Sequence, residues 1–242
     1  MRILVAVCRV PDASQPLRIA DGALEQAGTR MVLNPYDEAA LEAALQLKDR
    51  GPATEVVAAT VGTTAAADVL RTALASGADR AIHVATDLPL SPLFVARALH
   101  QVARTESPDL VLLGRQTTDW SGAQVGPMVA GLIGWAQVTE AVSLAARDRT
   151  LTVEHKADGG VETVEADLPC VVTADLRLGT LRFANLNAVL AARKKPISVH
   201  MAPPVTDRRP PQALQAAEQQ RRRIAVHSGA ELAAALRREK LL

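Results

Sequence analysis

Short unbroken runs of apolar residues alternate along much of the chain with longer stretches of helical periodicity. The runs predict strands over residues 3–7, 31–33, 54–61, 80–84, 109–113 and 170–174. The periodic stretches predict helices over residues 37–49, 64–76 and 91–105. Strand and helix in alternation are typical of an α/β fold built on a doubly wound parallel sheet.

The pattern changes after residue 136. Residues 149–156 and 161–167 alternate between apolar and polar side chains, with Asp158-Gly159-Gly160 between them. Because Asp-Gly is a strong turn signal, this segment predicts a β-hairpin added to the sheet. A loop and a short helix are expected over residues 177–193.

The C-terminal part of the chain differs in composition from the rest. Residues 203–223 are rich in Pro, Gln and Arg without an apolar period, and a short amphipathic helix is expected over about 229–242. We therefore expect an α/β domain over residues 1–200 and a C-terminal arm over residues 201–242. Within the arm, Arg221-Arg222-Arg223 is expected to be a solvated basic patch.

Composition narrows the class of protein. The formal net charge of +1 gives no electrostatic reason to expect nucleic-acid binding. Cys8 and Cys170 stand far apart, which favours neither a disulfide nor a metal site. The N-terminal apolar run stops at Arg9, and no run of about 18 apolar residues follows. We therefore expect no signal peptide, no membrane insertion and a cytoplasmic location.

Familiar catalytic motifs are absent from the sequence. It contains no phosphate loop, nucleophile elbow, HExxH or GxGxxG pattern, and its five histidines stand in unrelated contexts. His83 lies in an apolar strand and is expected to be a core or edge residue. The chain is therefore expected to bind ligands or partners and not to act as an enzyme.

The best binding candidate is the polar segment over residues 114–127. It begins at the end of a buried strand and runs into an apolar helix over residues 128–135, with Pro127 suited to the first helical turn. Parallel sheets bind ligands at the carboxyl ends of their strands, and a helix start attracts phosphate. An ordinary polar loop between strand and helix remains the alternative.

Two further segments are candidates. In Asn34-Pro35-Tyr36-Asp37, Asn34 can bond a nucleobase or backbone and Asp37 can cap the following helix, or the segment is simply an Asx-Pro turn. The segment over residues 178–192, followed by three cations, can anchor a partner protein through an exposed leucine. Its alternative is a capped helix with cations at its C-terminus.

Several segments match one protein family in their order and spacing. They cover residues 4–7, 9–12, 33–37, 71–80 and 109–116. Most specific is the sequence over residues 158–162 followed by that over residues 168–177. On these residues the chain resembles the β subunit of electron-transfer flavoproteins over essentially its whole length.

The resemblance implies the adenine-nucleotide-binding, Rossmann-like form of the fold and a heterodimer with an α subunit, on which the C-terminal arm would pack. A FAD shared with that subunit would take electrons from flavin dehydrogenases of the acyl-CoA type and pass them to a quinone oxidoreductase. An AMP would be buried in the β subunit, or a second FAD if the chain is an electron-bifurcating relative. The flavin would supply the chemistry, and the protein would set its position and electrostatics.

The resemblance also implies two sets of site residues. The cofactor set is Ala6, Asn34, Pro35, Tyr36, Asp37, Val61, Gly114, Arg115, Gln116, Thr117, Thr118, Asp119, Trp120, Ser121, Gly122, Ala123, Gln124 and Val125. The partner-recognition loop maps to about residues 182–191, with Leu186 as its anchor, and the set comprises Arg182, Phe183, Ala184, Asn185, Leu186 and Asn187. Trp120 stands where the family tends to have small or acidic residues.

Two other classes compete with this reading. One is a free-standing adenine-nucleotide-binding regulator similar to universal stress proteins, which would not need the arm after residue 200. The other is an ATP-using enzyme of the same general fold, against which the missing phosphate loop and catalytic set count.

Overall fold

The computed structural model describes residues 1–25, 28–88, 90–204, 213–215 and 224–242. The strands are β1 (Arg2–Ala6), β2 (Arg9–Pro11), β3 (Ile19–Ala20), β4 (Ala23–Leu24), β5 (Met31–Leu33), β6 (Glu55–Gly62), β7 (Arg80–Ala85), β8 (Leu110–Gly114), β9 (Ala136–Arg147), β10 (Thr150–Ala157), β11 (Gly160–Asp167), β12 (Cys170–Ala174) and β13 (Ile197–Met201). The helices are α1 (Pro35–Asp49), α2 (Ala67–Ser76), α3 (Pro92–Glu106), α4 (Val125–Ile133), α5 (Leu186–Lys194) and α6 (Gly229–Arg238).

In the described part of the chain, the central sheet has nine strands in the order β11-β10-β9-β12-β8-β1-β6-β7-β13. The parallel part of the sheet consists of β9, β12, β8, β1, β6, β7 and β13. The hairpin of β10 and β11 extends one end of the sheet in antiparallel pairing. The predicted α/β fold with an added β-hairpin is therefore confirmed.

Two apolar layers, one on each face of the sheet, show that the fold is doubly wound. Ile3 and Val5 of β1 belong to the layer under α1 and α2, whereas Leu4 belongs to the layer under α3 and α4. All three side chains are fully buried. Complete burial of one such side chain stabilises the fold by about 1.5–3 kcal/mol, which explains why these strands appear in the sequence as unbroken apolar runs.

The largest difference from the sequence prediction is β9, a long strand that was not expected. Its pairing with β12 shifts by one residue after Val138, and Glu140 has a φ of 57°. A second shift, against β10, lies between Ala141 and Ser143. Such bulges interrupt the alternation of side chains between the two faces. The Ala-rich sequence of β9 therefore lacks the two-residue period by which strands are recognised.

Several shorter elements also differ from expectation. The edge strand β13 and the small pairs β2–β5 and β3–β4 were not predicted as paired strands. Helix α4 begins at Val125 and ends at Ile133, so it starts three residues earlier than expected, with Pro127 in its first turn as predicted. In the segment over residues 177–193, the helix begins only at Leu186.

The C-terminal helix ends at Arg238, four residues before the predicted end. Within the described residues, α6 buries none of its side chains, although Leu232 and Leu236 lie four residues apart on it. Most of the Pro-rich segment over residues 203–223, including the basic cluster Arg221-Arg222-Arg223, lies outside the described residues.

Candidate functional site

A cleft opens at the carboxyl edge of the sheet, where β1 and β8 end beside each other. Of the residues predicted for the cofactor site, those that line this cleft are Ala6, Asp37, Gly114, Arg115, Gln116, Thr117, Trp120, Gly122, Ala123, Gln124 and Val125. The predicted residues that lie outside its lining are Asn34, Pro35, Tyr36, Val61, Thr118, Asp119 and Ser121. Sequence reasoning missed Cys8, Pro92, Val95, Leu99 and Leu113, which also line it.

Asp37 ties two strand ends together beneath this cleft. Its Oδ2 accepts a hydrogen bond from the backbone N–H of Cys8 at 2.8 Å, and its Oδ1 accepts one from that of Gly114 at 2.7 Å. The prediction that Asp37 caps α1 is therefore wrong: it lies inside the helix, whose N-cap position is held by Asn34 without a side-chain cap bond. Its carboxylate satisfies backbone donors at the ends of two neighbouring loops instead.

Burial dominates the electrostatics of Asp37. Removal from water raises the pKa of this carboxyl to about 7, although hydrogen bonds from Asn34, Gly114 and Cys8 work in the opposite direction. Burial, together with the carboxylates of Asp37 and Asp119, also raises the pKa of the Cys8 thiol well above its usual value. Cys8 is therefore a protonated thiol at neutral pH and a poor nucleophile.

Gly114 is required by close packing. A Cβ at this position would lie 2.5 Å from Oδ1 of Asp37 and 2.5 Å from Cβ of Tyr36. The Cβ of Tyr36 is fixed to its backbone, and Oδ1 of Asp37 is held by the N–H of Gly114 at 2.7 Å, so no side chain fits at residue 114 while that bond is kept. The glycine that marks the start of the candidate loop in the sequence thus allows α1 to approach the end of β8.

Asn34 holds the loop after β8 through a side-chain hydrogen bond. Its Nδ2 donates to the carbonyl of Gln116 at 2.9 Å, and its backbone N–H donates to the carbonyl of Cys8 at 2.9 Å. The side chain is fully buried, and its Oδ1 has no hydrogen-bond partner among the described residues. A buried acceptor without a donor is uncommon in folded proteins, and a bound group with an N–H would satisfy it.

A second polar cluster lies beside the cleft. Nη1 of Arg115 donates to Oε2 of Glu140 at 2.5 Å, and its guanidinium carbon lies 5.3 Å from the centroid of the Tyr36 ring. Glu140 reaches this position because the bulge in β9 turns its backbone. The Nε of Arg115 is buried and has no partner within the described chain, so this cluster also offers an unused donor.

The loop between β8 and α4 is folded across the cleft. Its backbone turns sharply, since the N–H of Ser121 bonds the carbonyl of Thr117 and both Ser121 and Ala123 adopt the left-handed region, with φ of 51° and 50°. Each such residue costs on the order of 1 kcal/mol, a strain often found at functional loops. Trp120 stands on this loop with 64% of its surface exposed.

Helix α4 starts at the inner end of that loop. The N–H groups of Val125 and Gly126 have no acceptor within the helix, because they lie in its first turn. Aligned peptide dipoles make such a helix start favourable for an anion. The cavity itself holds only about 60 Å³, whereas small-molecule sites usually span about 300 Å³ or more.

The residues predicted for partner recognition lie elsewhere, on the face of α1 and α2. Phe183 is wholly exposed and Leu186, at the start of α5, is 72% exposed. Asn185 caps α5, with its Oδ1 accepting from the N–H of Ala188 at 2.9 Å. The predicted exposed leucine is therefore present, at the first position of a capped helix.

Neither a metal centre nor a membrane helix is found in the part of the chain that the structure describes. No group of three or more His, Cys, Asp or Glu side chains there is arranged to hold a metal ion. None of the helices in those residues is both long and apolar enough to span a bilayer. His83 is buried, and its Nε2 lies 2.9 Å from the carbonyl of Gly62, as expected of a core histidine.

A doubly wound sheet with a cleft at its carboxyl edge defines an α/β protein of the Rossmann-like class. The family model described as "Electron transfer flavoprotein domain" matches residues 21–205. The chain is 48% identical over 203 residues to the mitochondrial electron transfer flavoprotein subunit beta of Oryza sativa subsp. indica, covering 81% of this chain and 80% of that protein.

Similar agreement extends to distant organisms. The identity is 44% over 200 residues with the electron transfer flavoprotein subunit beta of Bradyrhizobium diazoefficiens, covering 82% of this chain and 80% of that protein. It is 42% over 207 residues with the subunit beta of Homo sapiens, with the same two coverages. The chain therefore belongs to the electron transfer flavoprotein family, and these relatives are all beta subunits.

Proposed function

We propose that the chain is the β subunit of a heterodimeric electron carrier that shares one FAD with an α subunit and buries one AMP in the cleft described above. The observation that carries the proposal is the cleft itself, at the end of β1 and β8, in a chain whose relatives are electron transfer flavoprotein beta subunits. A bound flavin would supply the electron-transfer chemistry. This chain would position it and would perform no bond-making step of its own.

The donors and acceptors of the cleft fit a nucleotide. The first turn of α4 would receive the phosphate, because its N–H groups and dipole favour an anion. The unpartnered Oδ1 of Asn34 would accept from a donor on the ligand or on an ordered water. Asp37 and Gly114 would hold the two loops at the spacing that the site requires.

The small volume of the cavity implies that the loop between β8 and α4 moves on binding. Trp120 and Ala123 lie on this loop and line the cleft. Residues 119–124 of this loop are exposed, so its outward displacement is less costly than a change in the buried strands beneath it. We therefore infer that the nucleotide enters by displacing this loop and that the loop then closes over it.

Electron delivery would use the exposed segment that contains Leu186. Phe183 and Leu186 together present an apolar surface that the described part of the chain leaves uncovered. An exposed apolar surface of this kind commonly marks a protein-binding site. The segment would dock flavin dehydrogenases of the acyl-CoA type, and electrons would leave for a quinone oxidoreductase.

The C-terminal arm over residues 201–242 would pack on the α subunit. Its helix α6 is amphipathic and buries none of its side chains within the described chain, while Leu241 and Leu242 are also exposed. An apolar stripe without a core of its own is expected to be covered in a complex. Deletion of the arm should abolish co-purification with the α subunit and leave the α/β domain folded.

The proposed location of the complex is the cytoplasm, where free thiols such as Cys8 and Cys170 are stable. Cell fractionation followed by immunodetection of the chain tests this point. Recovery of the chain from an oxidising compartment or from the membrane fraction would contradict a cytoplasmic location.

The cofactor content tests the proposal most simply. The chain is co-expressed with its α partner, the purified heterodimer is denatured, and the released nucleotides are identified by chromatography and mass spectrometry. One FAD and one AMP per heterodimer is the expected result. Two FAD would replace the AMP proposal with an electron-bifurcating role, and a stable complex without flavin would overturn the electron-transfer role.

A further inference from the structure

The segment over residues 181–195 exposes most of its large apolar side chains, although Leu181 and Ala192 pack against the core. Phe183, Leu186 and Leu190 are 100%, 72% and 47% exposed. Within α5 only Ala192 is buried. Apolar packing is therefore limited in this segment, and polar contacts also fix its position.

The first of these contacts is an ion-pair clamp at the start of the segment. Oε2 of Glu42, on α1, accepts from the backbone N–H of Arg182 at 3.1 Å and from its Nε at 3.0 Å, and Oε1 accepts from Nη2 at 3.0 Å. The same Nη2 lies 2.8 Å from Oδ2 of Asp49. Two-pronged arginine–carboxylate contacts of this kind fix direction as well as distance.

Glu42 is unusual for a helix surface residue, because it is almost completely buried. Burial works to raise the pKa of its carboxyl, but the hydrogen bonds from Arg182 outweigh burial and hold that pKa below its usual range. Gly179 packs against this side chain so closely that a Cβ at residue 179 would lie 3.2 Å from Cγ of Glu42. The side chain of Glu42 is therefore enclosed by Gly179 and Arg182.

The second contact lies at the far end of the segment. Nη1 of Arg71, on α2, donates to the carbonyl of Ala192 at 2.7 Å and to that of Lys195 at 2.5 Å. Ala192 lies in the last turn of α5 and Lys195 is its C-cap residue, so Arg71 binds the C-terminal end of the helix, where the carbonyl of Ala192 also accepts from the N–H of Lys195 at 3.3 Å. Lys195 in turn donates from Nζ to the carbonyl of Ala78 at 2.9 Å.

Between the two clamps the segment spans an open groove. A groove of about 690 Å³ opens between the start of the segment and helices α1 and α2, and Glu38, Asp68, Phe183 and Val189 are among the residues that line it. The polar attachments of the segment thus lie at Arg182 and at the end of α5. Loss of either attachment would let the exposed apolar side chains move.

We propose that Glu42 and Arg71 are positioning residues for partner docking: they hold the segment over residues 183–191 in its binding geometry without touching the partner. The inference depends on the proposed docking role of that segment. A segment ordered before binding loses less conformational entropy on association, so the clamps raise affinity through preorganisation. Their effect is expected in the docking equilibrium and not in the electron-transfer step.

The test uses the heterodimer with its α subunit and, as the probe, an acyl-CoA dehydrogenase reduced by its acyl-CoA substrate. For Glu42→Gln and for Arg71→Met we expect the KM for the heterodimer to rise about threefold to tenfold, with kcat within about twofold, because only ordering entropy is lost. Amide hydrogen exchange should become faster over residues 183–191 in both variants and remain unchanged in the central strands.

Two further variants separate the clamp from other causes. Leu186→Ala should raise the KM without accelerating exchange, since it removes a contact residue and no clamp. Lys48 lies on the same helix as Glu42, and Lys48→Met removes its 2.5 Å ion pair with Asp79. This variant should change neither the KM nor the rate of amide exchange. The double variant Glu42→Gln with Arg182→Met should be no worse than the more impaired of its two single variants, because both changes break one contact.

The outcomes distinguish the two levels of the proposal. If the unmodified heterodimer accepts no electrons from the dehydrogenase, the proposed docking role fails and this inference fails with it. If the unmodified heterodimer saturates normally and both clamp variants keep its KM and its exchange rates, the inference alone is overturned. A raised KM without faster exchange would also overturn it, and Arg71→Met decides the matter should Glu42→Gln not fold.

Discussion

The cleft at the ends of β1 and β8 and the docking segment over residues 183–191 are built in opposite ways. In the cleft, the backbone N–H groups of Cys8 and Gly114 bond one buried carboxylate, and strands buried on both faces fix their positions. In the docking segment, almost nothing is buried, and two arginine side chains at its ends supply the order. The cleft thus owes its shape to packing, and the segment owes its shape to charge.

The difference predicts which kind of substitution each region tolerates. The close-packed strand ends beneath the cleft, unlike the exposed loop above it, are disrupted when a single atom is added, because interiors have no spare volume. An exposed segment held by side chains keeps its fold after substitution but loses its preferred position. Stability measurements should therefore report on the cleft, and binding measurements should report on the segment.

The largest effect is expected for Gly114→Ala. The added Cβ would lie within 2.5 Å of atoms of both Tyr36 and Asp37, so we expect a loss of about 3 kcal/mol or more in the free energy of unfolding. Gly131→Ala is the matched control, since Gly131 lies on the exposed side of helix α4 and a Cβ there meets nothing within 4 Å. It should leave stability unchanged or raise it by up to about 1 kcal/mol. Thermal unfolding of both variants measures the difference, and equal midpoints would contradict the close-packed description.

The next effect concerns pH and Asp37. Because the pKa of Asp37 is raised to about 7 in the folded chain from 3.8, this group favours folding below about pH 4, and that stabilisation is lost as the pH rises through 7. Relative to Asp37→Asn, the unmodified protein should lose roughly 2 kcal/mol of stability between pH 5 and pH 8. Unfolding midpoints for both proteins across this range provide the measurement. Parallel curves would show that Asp37 does not titrate in this window.

A smaller effect, visible in binding only, is expected for Leu186→Ala. The side chain is 72% exposed, so its loss should change the unfolding midpoint little. The KM of the heterodimer for an electron-donating dehydrogenase should rise about tenfold, as for the loss of a central interface residue. Leu176→Ala, at another exposed leucine, is the control and should leave that KM unchanged. An unchanged KM for Leu186→Ala would remove this residue from the docking surface.

The smallest effect on stability is expected for Trp120→Ala. Its indole is mostly exposed, so we expect a change within about 0.5 kcal/mol in the free energy of unfolding. The loop that it belongs to covers the cleft, and the variant should release bound nucleotide faster. Dialysis of the loaded heterodimer followed by nucleotide quantification measures the release rate. An unchanged rate would mean that Trp120 takes no part in closing the site.

Sequence reasoning was most successful where burial is uniform. The strands β1, β6, β7, β8 and β12 were predicted because both of their faces are buried, which produces unbroken apolar runs. It failed at β9, where two bulges disturb the alternation, and at β13, a short edge strand with exposed Val199 and Met201. In both cases the pairing partner, and not the local sequence, determines the strand.

The candidate site was located by sequence but its connections were not. The rule that ligands bind at the carboxyl ends of strands pointed to the loop that begins at Gly114. The contribution of α3, through Val95 and Leu99, has no local motif, since these side chains face the cleft only after the sheet has formed. The bond between Glu42 and Arg182 joins residues 140 positions apart, a separation at which no sequence period operates.

The central claim is that this chain is a subunit of an electron carrier. Anaerobic reduction of the flavin in the heterodimer tests that claim most directly. The purified heterodimer is mixed with an acyl-CoA dehydrogenase and its acyl-CoA substrate, and loss of the oxidised flavin absorbance is followed at increasing heterodimer concentration. We expect complete reduction at a rate that saturates with heterodimer concentration. A heterodimer that contains flavin but stays oxidised with this donor would contradict the proposed electron path.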